Sequence, residues 1–332
     1  MKIFKTIAII FLFIVFSSLA FAWGVWGHKH INKSAVFALP ESMRVFFYNH
    51  IDFVTQESPV PDIRKYTIND RAEGPRHYID IEAFQVSIDS LPQSSKDASA
   101  KYPDSILRKN GFLPWYIQDM MGKLTIAFKE KKTSEILFLA ADLGHYLGDA
   151  HMPLHTSLNH DGQFTHQNGI HSFWESQLPE QFGKSYNLFV ADAKYIPDVT
   201  KETWRIIKHT HLLADTLLMI ERKVKSTFPE DKIYMKNDKG GVLKNKYNSP
   251  VHTLEYARAY HEALKGMVEK QIRSSITATA DFWYTAWVNA GKPDLTSLDD
   301  ADLTKQNRKY YIEDYKDWKN GKITKLKIEG EF

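Results

Sequence analysis

Side chains that can bind metal ions are concentrated between residues 145 and 155. His145 and Asp149 are four residues apart at the end of an apolar run. On a helix this spacing places both on one face, with their Cβ atoms about 5–6 Å apart. Pro153 ends such a helix and turns the chain, which allows His155 to return to the same place. The spacing therefore predicts a site where one divalent ion contacts an imidazole and a carboxylate.

Further residues extend this prediction. His171 and Glu175 repeat the spacing of four, again with a carboxylate at the second position. Asp62, His77 and His28 are single candidates, and a lone His or Asp is more often a structural hydrogen-bonding group. Two such pairs close together in sequence are hard to explain by packing alone, so the pattern favours a metal centre.

The first 22 residues have the pattern of a secretory signal peptide. Two lysines precede the apolar run 7–16, and the small residues Ala20 and Ala22 suit signal peptidase. Cleavage makes Trp23 the first mature residue, and its free α-amine, with a pKa of about 7.7–8.0, can lose a proton to a metal. We therefore predict export to the periplasm or the medium. An uncleaved membrane anchor is the alternative, which the short apolar run disfavours.

Composition limits the class of protein. The chain has 332 residues, of which 43% are hydrophobic, so it can bury a large core. It has no cysteine, so an exported form is stabilised without disulfides. Residues 1–22 hold two of the 43 basic residues and none of the 40 acidic ones, which leaves the mature chain almost neutral. This balance argues against a broad, charge-driven nucleic-acid binder but leaves room for a local basic groove.

Most of the chain has a helical pattern. Apolar residues recur at helical spacing in segments 31–39, 42–54, 112–128, 133–149, 199–228 and 251–289. Polar stretches that contain Gly or Pro predict loops at 58–74, 87–105, 159–168 and 232–248. No internal repeat, alternating strand pattern or Gly-rich phosphate loop is present. The sequence thus predicts one all-α domain over residues 23–332, with a charged tail at 303–332.

The order and spacing of nine residues resemble those of the trinuclear zinc phosphoesterases. This superfamily includes the single-strand-specific zinc nucleases (the S-one/P-one nuclease family) and the zinc-dependent bacterial phospholipases C. The residues that carry the resemblance are Trp23, His28, Asp62, His77, His145, Asp149, His155, His171 and Glu175. It spans residues 23–176 and implies the all-α, single-domain, multi-helix fold of those enzymes, with three zinc ions in a cleft.

The resemblance also implies which residues bind each ion. The first zinc is expected to bind Asp62, His77, His145 and Asp149. The second is expected to bind His155, His171 and Glu175. The third is expected to bind the amine and carbonyl of Trp23 together with His28, and Asp149 is expected to bridge it to the first. Mixed imidazole and carboxylate ligation suits zinc and leaves room for water.

The chemistry implied is hydrolysis of a phosphodiester. A hydroxide that bridges two zinc ions is expected to attack phosphorus, since metal lowers the pKa of water to about 7, while a third ion stabilises the leaving oxygen. Asp62, Arg64 and Lys65 are the candidate catalytic side chains, the two cations acting on the transition state. The nucleases carry an arginine three residues after the aspartate, whereas this chain has Lys65, which keeps the charge without bidentate geometry.

Candidate substrate-binding residues follow His77. In the related nucleases an aromatic at the position of Tyr78 stacks on a base, and an aspartate at the position of Asp80 hydrogen-bonds it. The alternatives are core packing for Tyr78 and a hydrogen bond to a ligating His for Asp80. Among the other histidines, His151 is expected on the surface or beside a ligand, and the loop residues His160 and His166 are expected in solvent.

Three functions remain open at this point. We favour a single-strand nuclease or 3′-nucleotidase that acts on single-stranded nucleic acid or nucleotides as a monomer, with no stable protein partner. Zinc-dependent phospholipase C acting on phospholipid headgroups is the alternative, because Glu175 stands where the nucleases usually carry aspartate. A non-catalytic zinc-binding module is a third possibility, disfavoured because no ligand is missing.

Overall fold

The structure is a computed structural model that describes residues 23–67, 72–245, 248–299 and 301–321. The predicted signal peptide, residues 1–22, lies outside the described residues. The predicted all-α class is confirmed, because within these ranges the regular structure is helical and the only β-type pairing is three isolated bridges between residues 234 and 252. None of the described helices has the length and apolar character needed to cross a bilayer.

The helices are numbered here in chain order. They are α1 Gly24–Ala38, α2 Glu41–Asn49, α3 Ile51–Glu57, α4 Val60–Thr67, α5 Ser95–Lys101, α6 Asp104–Asn110, α7 Leu113–Lys129, α8 Thr133–Ala150, α9 Ile170–Ser172, α10 Leu178–Phe182, α11 Val199–Ser226, α12 Leu254–Ala263, α13 Met267–Asn289 and α14 Ala301–Lys319. Two short turns also matter for the site, the 3₁₀ turns Gly74–His77 and Pro153–Thr156. A π-helical turn, Phe173–Gln177, joins α9 to α10.

The core forms around α1 and α8. Helix α1 is buried on almost its whole circumference, and α8 is buried throughout its C-terminal half. A helix buried on all sides lies inside a larger bundle, and here α7, α13 and α3 surround the pair. The Trp283 indole of α13 donates to the Ala140 carbonyl at 2.9 Å and its ring stacks on Phe47. The polar side chains of α1 and α8 therefore lie at the centre of the bundle.

Two predicted loops contain helix. Segment 58–74 includes α4, and segment 87–105 includes α5. Helix α5 begins where Ser94 accepts a hydrogen bond from the Asp97 main chain at 3.1 Å, so a Ser-rich stretch that looks like a loop supplies an N-cap. The sequence prediction of loop was wrong there because polar residues mark helix ends as well as turns.

Two predicted helices are each divided. Segment 42–54 breaks at His50 into α2 and α3. Segment 251–289 breaks into α12 and α13 at Lys265 and Gly266, both of which have positive φ, 50° and 77°. Glycine adopts this left-handed conformation at little cost, which explains why the chain turns at this position.

The charged tail begins as a folded element. Helix α14 packs against α2, and its Trp318 is fully buried next to Phe37. The Arg44 guanidinium of α2 lies 3.9 Å from the centre of the Tyr315 ring. Helix α14 is therefore amphipathic. Its charged residues lie on the exposed face, and its other face packs against α2.

Candidate metal centre

Helix α8 delivers the first pair of predicted ligands to the interior. Both His145 and Asp149 are fully buried, and His145 Nε2 lies 3.2 Å from Asp149 Oδ2. Asp62 of α4 and His77 of the 3₁₀ turn join them, with His77 Nδ1 2.9 Å from Asp149 Oδ2 and 3.4 Å from Asp62 Oδ1. The four residues predicted to share one zinc thus meet at one point.

The second predicted group forms beside the first. His155 lies in the 3₁₀ turn after α8, and its Nε2 is 3.2 Å from Nε2 of His171. His171 Nε2 is in turn 3.1 Å from Glu175 Oε2. Glu175 is buried inside the π-helical turn, a local widening of the helix that often marks functional sites. Three side chains from separate turns therefore converge.

The start of α1 closes the centre. The His28 ring stacks on His145 at 3.8 Å, and its Nε2 lies 3.6 Å from Asp149 Oδ1. The Trp23 main-chain nitrogen donates to Glu175 Oε2 at 3.0 Å, and its buried indole donates to the Gly148 carbonyl. The structure thus brings together all nine residues predicted as metal ligands, here called the metal centre.

Main-chain carbonyls orient three of the imidazoles. The Nδ1 atoms of His145, His155 and His171 each lie 2.8–2.9 Å from a carbonyl oxygen, respectively of Ser58, His77 and His160. A donor at Nδ1 leaves the lone pair on Nε2, which is the atom that faces the other ligands. Each ring is therefore held in the tautomer that a metal ion needs.

Glu73 is a functional residue that sequence reasoning missed. Its fully buried carboxylate lies 3.2 Å from His77 Nε2 and accepts hydrogen bonds from the Tyr146 hydroxyl and from Arg76 at 2.8 Å. Burial alone would raise its pKa, but the hydrogen bonds from His77 and Tyr146 lower the pKa of Glu73 to about 2. The ionised carboxylate fixes Nδ1 of His77 toward the metal centre. Its spacing of four residues from His77 was the available signal.

Several buried polar atoms of the metal centre have no hydrogen-bond partner within the described chain. They are both ring nitrogens of His28, Oδ2 of Asp62 and Oδ1 of Asp149. Burial lowers the pKa of His28 well below its usual value, so this imidazole is neutral. Burial would raise the pKa of Asp149, but His145 and His155 hold it well below its usual value. A buried imidazole or carboxylate without a hydrogen-bond partner destabilises the folded state, and a metal ion of borderline hardness binds both kinds of group.

The candidate catalytic cations occupy different positions. Lys65 Nζ forms an ion pair with Asp62 Oδ1 at 2.8 Å, which places it at the edge of the metal centre. Arg64 instead binds Asp142 at 2.5 Å and lies 3.5 Å from Glu73, outside the ligand groups. Lys65 is therefore brought to the site, whereas Arg64 supports the carboxylate that orients His77.

The candidate substrate-binding residues follow His77 directly. The half-buried Tyr78 donates its hydroxyl to the Lys109 carbonyl at 3.3 Å. The Tyr78 carbonyl packs so closely on Gly111 that a Cβ there would lie 2.2 Å from it. Asp80 is largely buried, and burial, with a smaller contribution from Glu82, raises the pKa of its carboxyl to about 7.

The segment 159–168 is tied to the second ligand group. Asp161 accepts hydrogen bonds from the main chain of Gly169 at 2.9 Å and of His171 at 3.2 Å. His160 and His166 are exposed residues, as expected for a loop, but the His160 ring contacts the His171 ring edge-on, with their centres 6.3 Å apart. His160 contributes its carbonyl to the site, a role that side-chain patterns do not indicate.

Comparison with known proteins agrees with this geometry. No curated protein matches the chain. The S1/P1 nuclease family model matches residues 23–277, about three quarters of the chain, and the match includes every residue of the metal centre. Members of that family are zinc-dependent hydrolases that cleave phosphoester bonds of nucleic acids. The buried His, Asp and Glu groups fit such an ion, and the chain belongs to the S1/P1 nuclease family.

Proposed function

We propose that the protein is a single-strand-specific nuclease with 3′-nucleotidase activity that uses three zinc ions. The observation that carries the proposal is the shape of the ligand set, three groups of metal-binding side chains within one buried centre. His145 belongs to two of them, and Asp149 lies between the same two, since its Oδ2 faces His77 and His145 while its Oδ1 faces His28. One isolated structural ion does not require three groups.

The residues of each group would hold one ion. Asp62, His77, His145 and Asp149 would hold the first, and His155, His171 and Glu175 the second. Trp23, His28 and Asp149 would hold the third. When bound, zinc supplies Lewis-acid polarisation of the phosphoester and lowers the pKa of water.

The protein's own side chains position the substrate. Lys65 holds the Asp62 carboxylate in place through its 2.8 Å ion pair and brings a positive charge to the edge of the centre, where a phosphate must bind. Tyr78 offers an aromatic face for base stacking, and Asp80 an acceptor for base N–H groups. Both lie within three residues of the ligand His77, so a base held by them places its phosphate near the metal centre.

One observation favours phospholipase C as a second candidate. Glu175 occupies a position where the related nucleases usually carry aspartate. The family match is to nucleases, which supports the nucleic-acid substrate over the lipid.

The deciding experiment uses purified mature protein and compares several substrates. We expect release of acid-soluble nucleotides from single-stranded DNA and RNA at least tenfold faster than from duplex DNA, release of inorganic phosphate from a 3′-nucleotide, and no headgroup release from phosphatidylcholine vesicles. An Asp149→Asn variant should lose these activities, whereas an exposed control, Asp104→Asn, should keep them. Hydrolysis of lipid alone would overturn the proposal.

We also propose export and cleavage before Trp23, so that its free amine joins the centre. The support is the 3.0 Å contact between the Trp23 nitrogen and Glu175. A variant that keeps one additional residue before Trp23 should bind less zinc per chain by elemental analysis and lose activity. Unchanged zinc content and activity in that variant would contradict an N-terminal ligand.

A further inference from the structure

A cavity with charged and apolar walls lies outside the metal centre. It has a volume of about 730 Å³ and opens between α11 and α13, and none of the nine predicted metal ligands lines it. Its basic residues are Arg205, His209, Lys265, Lys270 and Arg273. We call it the basic cavity. Its volume lies within the range of about 300–1,000 Å³ that is typical of small-molecule sites.

Positive charge exceeds negative charge in the basic cavity. Four lysine and arginine side chains face two carboxylates. Glu202 pairs with Arg205 at 2.6 Å, and Asp281 accepts the Lys194 main-chain N–H at 2.6 Å but keeps its charge. Lys265, Lys270 and Arg273 form no ion pair with any carboxylate of the described residues. Three cations in one concave site attract an anion more strongly than cations spread over a convex surface.

Helix α13 starts at the wall of the basic cavity. Its N-cap residue, Gly266, provides no side-chain hydrogen bond to this 23-residue helix, and the Met267 N–H donates to the Leu264 carbonyl at 3.0 Å. The one acidic residue of the first turn, Glu269, accepts the main-chain N–H of Asn187 instead of lining the cavity. The positive end of the helix dipole thus adds to the charge of Lys265 and Lys270.

A buried polar side chain also faces the basic cavity. His151 is only 4% exposed, and its Nδ1 lies 2.7 Å from the Leu147 carbonyl. Its Nε2 has no hydrogen-bond partner among the described residues, and His151 is one of the residues that line the cavity. The buried Gln271 amide donates to the His151 carbonyl at 2.7 Å and holds this segment in place. An unpartnered ring nitrogen inside a formed cavity offers a ligand a directional hydrogen bond.

Most of the remaining wall is apolar, and its polar residues are Gln271, Ser274 and Thr277. Val190, Leu213, Leu264, Met267 and Ala278 line it beside the cations. A ligand that matches the whole basic cavity therefore carries an anionic group and a flat or apolar group side by side. Inorganic anions alone leave the apolar wall uncovered, and lipid tails alone leave the cations unpaired.

We propose that the basic cavity binds a nucleotide at a site separate from the metal centre. The phosphate lies against Lys270, Arg273 and the start of α13, and the base covers the apolar wall near His151. The choice of a nucleotide over other amphipathic anions rests on the proposed nuclease function. The nucleotide has two possible sources, a free mononucleotide product and one residue of a bound single strand.

The test compares two charge-reversal variants of the zinc-loaded full-length mature enzyme. Lys270→Glu with Arg273→Glu changes the basic cavity at an exposed and a half-buried position. Arg222→Glu with Lys223→Glu makes the same change of net charge at exposed positions of α11 that do not line it. Binding of adenosine 5′-monophosphate is measured by equilibrium dialysis at about 0.15 M salt, where long-range charge effects are screened. Initial rates are measured on a dinucleotide and on a single-stranded 20-mer.

We expect the wild type and the Arg222/Lys223 control to bind one nucleotide more per chain than the Lys270/Arg273 variant, whose affinity at this site should fall at least tenfold. Turnover of the dinucleotide should stay unchanged in both variants. A higher KM for the 20-mer in the Lys270/Arg273 variant alone assigns the site to the bound strand, and an unchanged KM with lost binding assigns it to the free product.

Equal nucleotide binding in the two variants, together with equal KM for the 20-mer, would overturn the inference. Displacement of the nucleotide by inorganic phosphate at equal concentration would also overturn it, because the base would then contribute nothing. If the wild type cleaves no nucleic acid, the proposed function fails, and the dialysis result still decides whether the basic cavity holds a nucleotide.

Discussion

At the scale of single residues, Asp149 connects the metal centre. Its Oδ2 is within 3.2 Å of nitrogens on His77 and His145, while its Oδ1 lies 3.6 Å from nitrogens on His28 and His155. A carboxylate with two differently directed oxygens can serve two ions at once. The imidazoles around Asp149 are oriented by groups that contact the ring nitrogen directed away from the centre. Within the described chain, Glu73 is the only carboxylate within 3.5 Å of such a nitrogen, which is Nε2 of His77.

Glu73→Gln tests this dependence. The amide keeps the shape of the side chain but removes the charge that His77, Arg76 and Tyr146 share, so His77 loses its strongest orienting partner. We expect zinc affinity to fall by about 10–100-fold, measured by competition with a chelating indicator. Asp104→Asn, which breaks an exposed ion pair with Arg108, is the control and should bind zinc as the wild type does. Equal affinity of the two variants would show that Glu73 is not needed for metal binding.

At the scale of elements, the metal centre depends on close contact between α1 and α8. Gly144 and Gly148 alternate with the ligands His145 and Asp149 on α8. A Cβ on Gly144 would lie 2.0 Å from Oδ1 of Asn32, whose amide donates to the carbonyls of Val54 and Ala141. The missing side chains let α1 approach α8 closely enough for His28 to stack on His145.

Gly144→Ala should therefore destabilise the fold. The added methyl group displaces Asn32 and separates the two helices, and overpacking of this kind typically costs about 1–3 kcal/mol. Gly122→Ala is the matched control, since Gly122 is an exposed helical residue of α7 with no atom near its ideal Cβ. That change should stabilise the protein by about 0.5–1 kcal/mol. Urea unfolding monitored by circular dichroism measures both, and a stabilised Gly144→Ala variant would contradict the close approach.

At the scale of the whole molecule, the metal centre joins segments that are distant along the chain. Its predicted ligands run from Trp23 to Glu175 and come from α1 and the residue before it, α4, α8, α9 and three turns. The chain has no cysteine, so no disulfide holds these segments together. Bound metal would then add a link between the N-terminal helix and the centre of the bundle, beyond the packing of the buried α1.

Removal of metal should lower the thermal stability of the entire domain. A ligand at about 1,000 times its dissociation constant stabilises the folded state by about 4 kcal/mol per site, and chelation removes that contribution while leaving buried carboxylates unpaired. We expect the melting temperature to fall by more than 10 °C after treatment with EDTA and to recover when zinc is added back. If elemental analysis confirms metal removal and the melting temperature is unchanged, the centre is not a structural link.

The sequence alone determined the helical class and two pairs of candidate ligands, and the family resemblance supplied the other candidates. Helical periodicity and the spacing of His145 with Asp149, and of His171 with Glu175, are local properties, and local geometry places such pairs on one face without reference to the rest of the fold. Tertiary structure alone decided that α1 brings His28 onto His145 and that Arg64 pairs with Asp142 instead of pointing into the centre. It also created the basic cavity from α11 and α13. These contacts join residues far apart in sequence, and their distances depend on how the helices pack, which spacing along one helix does not encode.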